Sequence, residues 1–218
     1  MVSAAAGRCV KDESVAIVLA AGRSSRSGNQ HKLLAQDAAG QTMLARTLTE
    51  VLGSRVGAVC VVLAPDGEGL LTAVYETSPA LRIPERRLDI CVAPDAREGL
   101  SASLRAGVKW AESRHACAAL ICLADMPLVR TGVMDDLLTR YRLGGVDVVV
   151  PEHDGRMGNP VVWGAACFPA LQTVEGDRGG RVLLRSTSLR QARVAADAGV
   201  LEDFDTPEAL ERFAACQG

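Results

Sequence analysis

Aromatic residues make up only 3% of this 218-residue chain, which excludes a core of stacked rings and leaves Val, Leu, Ile and Ala to fill the interior. No apolar run reaches the roughly 18 residues that a membrane-spanning helix needs. The opening MVSAAAGRCVKDES also lacks the apolar segment of a signal peptide, so a cytoplasmic protein with no membrane partner is expected. There is no block of basic residues, and the net charge is -2 with a pI near 6.0. That balance argues against a nucleic-acid surface and for a small partner. The seven cysteines, Cys9, Cys60, Cys91, Cys117, Cys122, Cys167 and Cys216, are odd in number and never spaced CxxC. They read as buried thiols in a reducing compartment. His31, His115 and His153 show no metal spacing, and isolated loop or surface positions are expected for them. Without a GxSxG elbow or a recognisable Cys-His motif, covalent catalysis is disfavoured.

The length and the 48% hydrophobic content suit one sizeable core and are too small for two typical domains. A flexible N-terminus over 1–13 is expected, then one domain over 14–215. Short β-branched or aliphatic runs read as strands at Val15 to Ala20, Val59 to Leu63, Leu88 to Val92, Ala118 to Leu123 and Val146 to Val150, the apolar ones buried and parallel. Between them, helical spacing marks Met43 to Gly53, with Thr42 in front, then Ser101 to Glu112 and Val133 to Tyr141. This alternation predicts a three-layer α/β/α sandwich with right-handed connections. From Pro151 the pattern changes to glycine-rich loops and a short strand at Val161 to Trp163.

The densest feature is Leu19 to Lys32, LAAGRSSRSGNQHK, at the carboxyl end of the first strand. Gly22 and Gly28 allow close approach of backbone N–H groups to an anion, and Arg23, Arg26 and Lys32 place positive charge where a triphosphate would lie. Neither the P-loop nor the G-x-G-x-x-G fingerprint occurs here. An ordinary strand-to-helix connection with solvated basic residues is the competing reading. The loop resembles the LAAGxSxRxG signature, followed by a lysine, of the nucleotidyltransferases that make molybdenum dinucleotide cofactors. Leu19, Ala20, Ala21, Gly22, Ser24, Arg26, Gly28 and Lys32 all match, and Ser27 stands where the family often has Met.

Further segments carry the resemblance in the family's order over roughly Val15 to Leu210. Asp125, in LADMP, is presented directly after a buried strand, where a carboxylate can hold a hard cation; a simple turn Asp is the competing reading. DFDTPEAL contributes Asp203 and Asp205 before a helix with Thr206 as N-cap and Pro207 at its first position. Which of the two carboxylates points inward is open. PDAREGLSAS offers Gly99, Ser101 and Ser103 as a base-reading loop whose backbone groups could bond a pyrimidine edge, with Ser101 also suited to cap the next helix. GRMGNP and GDRGGR supply Arg156, Gly158, Asn159, Arg178 and Arg181 for an acceptor phosphate, with surface turns as the alternative.

The resemblance implies a Rossmann-like, glycosyltransferase-A type fold with a mostly parallel, mixed central sheet, nucleotide-binding in its N-terminal half and acceptor-binding in its C-terminal half. It implies that Leu19, Ala20, Ala21, Gly22, Arg23, Ser24, Arg26, Lys32, Gly99, Ser101 and Ser103 hold the nucleotide. Arg26, Lys32 and Asp125 would serve catalysis, with Mg²⁺, or Mn²⁺ in its place, on Asp125 and on Asp203 or Asp205. The expected reaction joins CMP from CTP to the phosphate of molybdenum-bearing molybdopterin, with release of pyrophosphate. Ala21 favours CTP, because cytosine-specific members resemble LAAG and guanosine-specific ones LAGG. The molybdoenzyme that receives the product, or its maturation factor, is a further candidate partner. A GTP-using relative, a nucleotidyltransferase with a sugar-phosphate or phospho-acid acceptor, and a non-catalytic cofactor-delivery protein are the alternatives.

Overall fold

Alternation along the first strand decides which layers it separates. The computed structural model describes residues 13–22, 31–80, 87–186 and 188–216, and of residues 77–80 and 178 the backbone alone. In β1 (Ser14–Leu19), Ala16 and Val18 face one buried cluster, while Val15, Ile17 and Leu19 face another. A strand whose two faces are both buried needs helices above and below it.

The first cluster is closed by α1 (Met43–Gly53), α2 (Glu68–Ala80), α4 (Thr131–Arg142) and α6 (Pro207–Ala214). The second is closed by α3 (Leu100–Ser113) and α5 (Phe168–Gln172). The result is the three-layer α/β/α sandwich that the pattern predicts. Close packing on the second side depends on Gly107 of α3, where an added Cβ would lie 2.4 Å from Ile17 Cγ2.

Between the layers runs one mixed sheet. β2 (Val59–Leu63), β3 (Leu88–Val92) and β4 (Ala118–Leu123) join β1 in parallel, in the order β3-β2-β1-β4. Beyond β4 the direction changes: β7 (Val161–Gly164) runs antiparallel to both β4 and β5 (Val148–His153). β8 (Gln191–Ala195) pairs in parallel with β5 along its other edge, and the two-residue β6 (Arg156–Met157) pairs with β5 beside β7. The second half is thus hydrogen-bonded into the sheet of the first.

Local chemistry accounts for the helix starts. Thr42 accepts a hydrogen bond from Ala45 N at 3.2 Å and Thr206 from Ala209 N at 3.2 Å, each satisfying a first-turn donor, and Pro207 needs none. The cap expected at Ser101 is a correction. α3 begins at Leu100, its N-cap is Gly99 with φ of 107°, and Ser101 lies inside the first turn, fully buried. Of the expected buried thiols, Cys60, Cys117, Cys122 and Cys167 are buried, while Cys91 and Cys216 are partly accessible.

Candidate active site

The carboxyl ends of β1 and β4 lie side by side, with Leu19 opposite Leu123. Ala20 N donates to Val62 O at 3.0 Å and Ala124 N to Leu19 O at 3.2 Å, so the sheet holds both strand exits in place. Ala21 and Gly22 continue from β1; Arg23, Ser24, Arg26 and Gly28 lie outside the described residues.

The chain is described again from His31, which caps a short 3-10 turn, Lys32–Leu34, by accepting a hydrogen bond from Leu33 N at Nδ1 over 3.3 Å. Burial pushes the His31 pKa down, against the opposing effect of a hydrogen bond to the Gly22 backbone. His31 is therefore a structural cap and no isolated surface residue. The next turn is braced by a buried pair, in which Asp37 accepts from Ala39 N and Gln41 N at 2.9 Å each and from Arg46 Nη1 at 3.0 Å. With three donors on one carboxylate, the pair's burial is compensated.

That support fixes Lys32. Its Nζ donates to Asp125 Oδ2 at 2.6 Å and also pairs with Asp205 Oδ1. The Lys32 and Asp125 side chains are only 14% and 16% exposed, so this pairing is largely withdrawn from water. Asp205 arrives because Phe204 N donates to Asp125 O at 3.2 Å, while the Phe204 ring packs edge-on against Phe213 at 5.6 Å between centroids. The choice left open by the sequence is resolved in part: Asp205 turns toward Lys32, and Asp203 lines a neighbouring cleft.

Two cavities open at this end of the sheet. One, of about 200 Å³, is lined by Ala21, Ala64, Pro65, Asp66, Pro94, Ala96 and Arg97, all just beyond β1, β2 and β3. The other, of about 290 Å³, has apolar walls that include Leu19, Leu123, Met126 and Trp163, and polar groups from Arg156, Asn159, Asp177, Arg181 and Asp203. Such a lining, apolar with a few placed polar groups, is the usual form of a small-molecule site. Three of the expected acceptor residues, Arg156, Asn159 and Arg181, meet on this cleft.

Others of the expected set do not reach either cavity. Gly158 is buried behind the cleft, where a Cβ would sit 2.3 Å from Val200 O, and its N donates to Pro151 O at 2.9 Å. Ser101 and Ser103 are 0% and 2% exposed, so their hydroxyls make no contact with a nucleotide in either cavity. Ser101 Oγ accepts from Arg105 Nη1 at 3.3 Å instead. Both serines share the inward face of α3 with Leu104, Val108 and Ala111, a spacing visible in the sequence. Residues that sequence reasoning missed are Arg97 and Asp66 on the smaller cavity and Asp177 on the larger; they sit in turns, where an Asp or Arg reads as solvated.

The donor set suits a hard divalent cation. Two carboxylate oxygens, from Asp125 and Asp205, already converge on a single positive centre, the Lys32 ammonium. Mg²⁺ and Mn²⁺ bind through one or two carboxylates, with water and phosphate oxygens completing the shell. Among the described residues no group of three His, Cys, Asp or Glu side chains is gathered as a complete protein-made metal cage. A cation held by these two carboxylates would complete its shell with water and phosphate oxygens.

Residues 16–194 match the family described as the MobA-like NTP transferase domain. The chain belongs to this family. It is 34% identical over 198 residues to the purine catabolism protein PucB of Bacillus subtilis, spanning 89% of this chain and 92% of that one. It is 32% identical over 143 residues to a probable molybdenum cofactor guanylyltransferase of Mycobacterium tuberculosis, spanning 64% of this chain and 62% of that one. Among solved structures, Rv0371C of Mycobacterium tuberculosis in complex with manganese superposes with a TM-score of 0.74 at 22% identity, covering 93% of this chain and 98% of that one. The fold and the nucleotidyltransferase class follow from these likenesses.

Proposed function

We propose that this family member transfers CMP from CTP to the phosphate of molybdenum-bearing molybdopterin, releasing pyrophosphate. The observation that carries the reading is the pair of cavities at the carboxyl ends of the parallel strands, with Lys32, Asp125 and Asp205 gathered at the same end. Ligands of open α/β sheets bind at this end. The smaller cavity takes the nucleotide, since it adjoins the signature loop; the larger, with Arg156 and Arg181 on its wall, takes the acceptor.

An acceptor phosphate oxygen is already ionised near neutral pH, so no general base is required. The task is to align that oxygen with the α-phosphorus and to neutralise charge on both sides of it. Arg156 and Arg181 hold the incoming phosphate, Lys32 faces the α-phosphate, and Arg23 and Arg26 hold the departing pyrophosphate. Asp125 and Asp205, with Asp203 beside them, would hold Mg²⁺ or Mn²⁺, which supplies Lewis-acid neutralisation of the phosphates. The manganese complex of the structural neighbour supports that choice.

Cytosine selection rests on Ala21, whose methyl lies at the wall of the smaller cavity with the residue only 3% exposed. A smaller residue at this point makes room for a larger base. A GTP-using enzyme is the second reading, favoured by the name of the mycobacterial relative. The deciding assay is pyrophosphate release with Mg²⁺ and each of CTP, GTP, ATP and UTP, with and without molybdenum-loaded molybdopterin. Release that requires both CTP and the pterin is expected. Release with GTP replaces the base, and release only with a sugar phosphate or phospho-acid replaces the acceptor.

A further inference from the structure

The two cavities have separate walls, yet those walls touch. Pro94, Ala96 and Arg97 line the smaller one and Asp177, Gly179, Gly180 and Arg181 the larger, and between them lies the start of α3. Asp177 Oδ1 accepts a hydrogen bond from Leu100 N at 3.3 Å, serving a first-turn donor for which the N-cap residue, Gly99, has no side chain. The approach is so close that a Cβ on Gly99 would lie 2.2 Å from Asp177 Oδ1, and a Cβ on Gly179 would lie 2.9 Å from Leu100 Cδ2. Arg105, one turn along α3, reaches both sides of the same seam. It donates to Val174 O at 3.0 Å and to Glu98 Oε2 at 2.8 Å.

We propose that Asp177 is a positioning residue: it caps α3 across the seam and so holds the acceptor-side loop in fixed relation to the nucleotide-side loop, with Arg105 as the second fastening. This rests on the assignment of the two cavities given above. Asp177 works here through its oxygen as a hydrogen-bond acceptor, and its negative charge is incidental. In-line transfer has no covalent help from the protein, so its rate depends on how well the acceptor oxygen is aimed, and a displacement of about 1 Å can cost on the order of 100-fold.

The test compares Asp177→Asn with Asp177→Ala. Asn keeps the accepting oxygen and Ala removes it. With CTP and molybdenum-loaded molybdopterin, Asp177→Asn is expected to keep kcat within about twofold of wild type, and Asp177→Ala to lower it about tenfold or more. CTP affinity measured without acceptor should stay within about twofold in both. Hydrogen exchange is read in parallel over residues 94–102 and 174–180, where Asp177→Ala should speed exchange in both segments and Asp177→Asn in neither. If Asp177→Asn is as slow in turnover as Asp177→Ala while its exchange matches wild type, the charge of Asp177 acts on substrate or cation and the proposal is overturned. Wild-type exchange in both segments for Asp177→Ala overturns it too. If the wild-type protein transfers no nucleotide to the pterin, the functional reading fails, and the exchange comparison alone decides whether Asp177 joins the loops.

Discussion

The Lys32 ammonium stands 2.6 Å from the Asp125 carboxylate at the mouth of β4, and the same ammonium meets Asp205. One cation thus compensates two carboxylates gathered from different parts of the chain. Asp125→Asn keeps the shape and removes the charge. Turnover is expected to fall about 100-fold or more, with the melting temperature within about 3 °C of wild type, because the side chain is not part of the apolar core. Pyrophosphate release and thermal unfolding check this together; an active variant with undiminished metal dependence would sink the assignment.

Ala21→Gly removes the one methyl group by which the loop's third residue narrows the smaller cavity. The ratio of kcat/KM for CTP over that for GTP should fall about tenfold, the scale of a single methylene in a pocket. An unchanged ratio would move base selection to the other lining residues, Arg97 and Asp66 first.

Gly107→Ala forces a methyl to within 2.4 Å of Ile17 Cγ2 at the junction of α3 and β1. Overpacking of this kind costs about 1–3 kcal/mol, a fall in melting temperature of several degrees. Ile17→Ala, which removes that Cγ2, should cost less in the Gly107→Ala background than alone, as thermal unfolding of the single and double variants would show.

Asp147 joins the starts of β5 and β8. It accepts from Arg190 N and Nε at 3.0 Å each and from Nη2 at 2.5 Å, and these bonds hold its pKa down at about 2. A folded-state pKa below the unfolded value means that the contribution is fully present above about pH 4. It is lost as pH falls toward 2. Asp147→Asn should therefore lower the melting temperature at pH 7 by about 2 °C, and the gap should close as both proteins are taken from pH 4 to pH 2. A gap that persists at the acid end would assign the effect to packing.

Much of this architecture is legible from pattern. β1, β2 and β4 are short aliphatic runs buried on both faces, and α1, α3 and α4 carry helical spacing, so local signal and final position agree. β8 escapes notice because QARVA is half-exposed at an edge, and its partner, β5, is 43 residues away at Asp147 and Arg190. The roles of Asp203 and Asp205 could not be separated in the sequence, since they flank one buried aromatic in a segment without regular period. What separates them is a tertiary contact, Phe204 N to Asp125 O. Ser101 and Ser103 mislead for the opposite reason: their hydroxyls suggest a ligand, while the helical phase they share with Leu104 and Val108 turns them inward. The arginines of the signature loop lie outside the described residues, so their part rests on the sequence alone.

The tie from Phe204 N to Asp125 O, with Asp205 beside it, also bears on the time course of folding. Lys32 and Asp205 are 173 positions apart, and pairings of such wide separation close only after the intervening chain has found its topology. Recovery of catalysis after dilution from denaturant should then lag behind the return of helical signal, making enzymatic activity a reporter of the last stage of assembly.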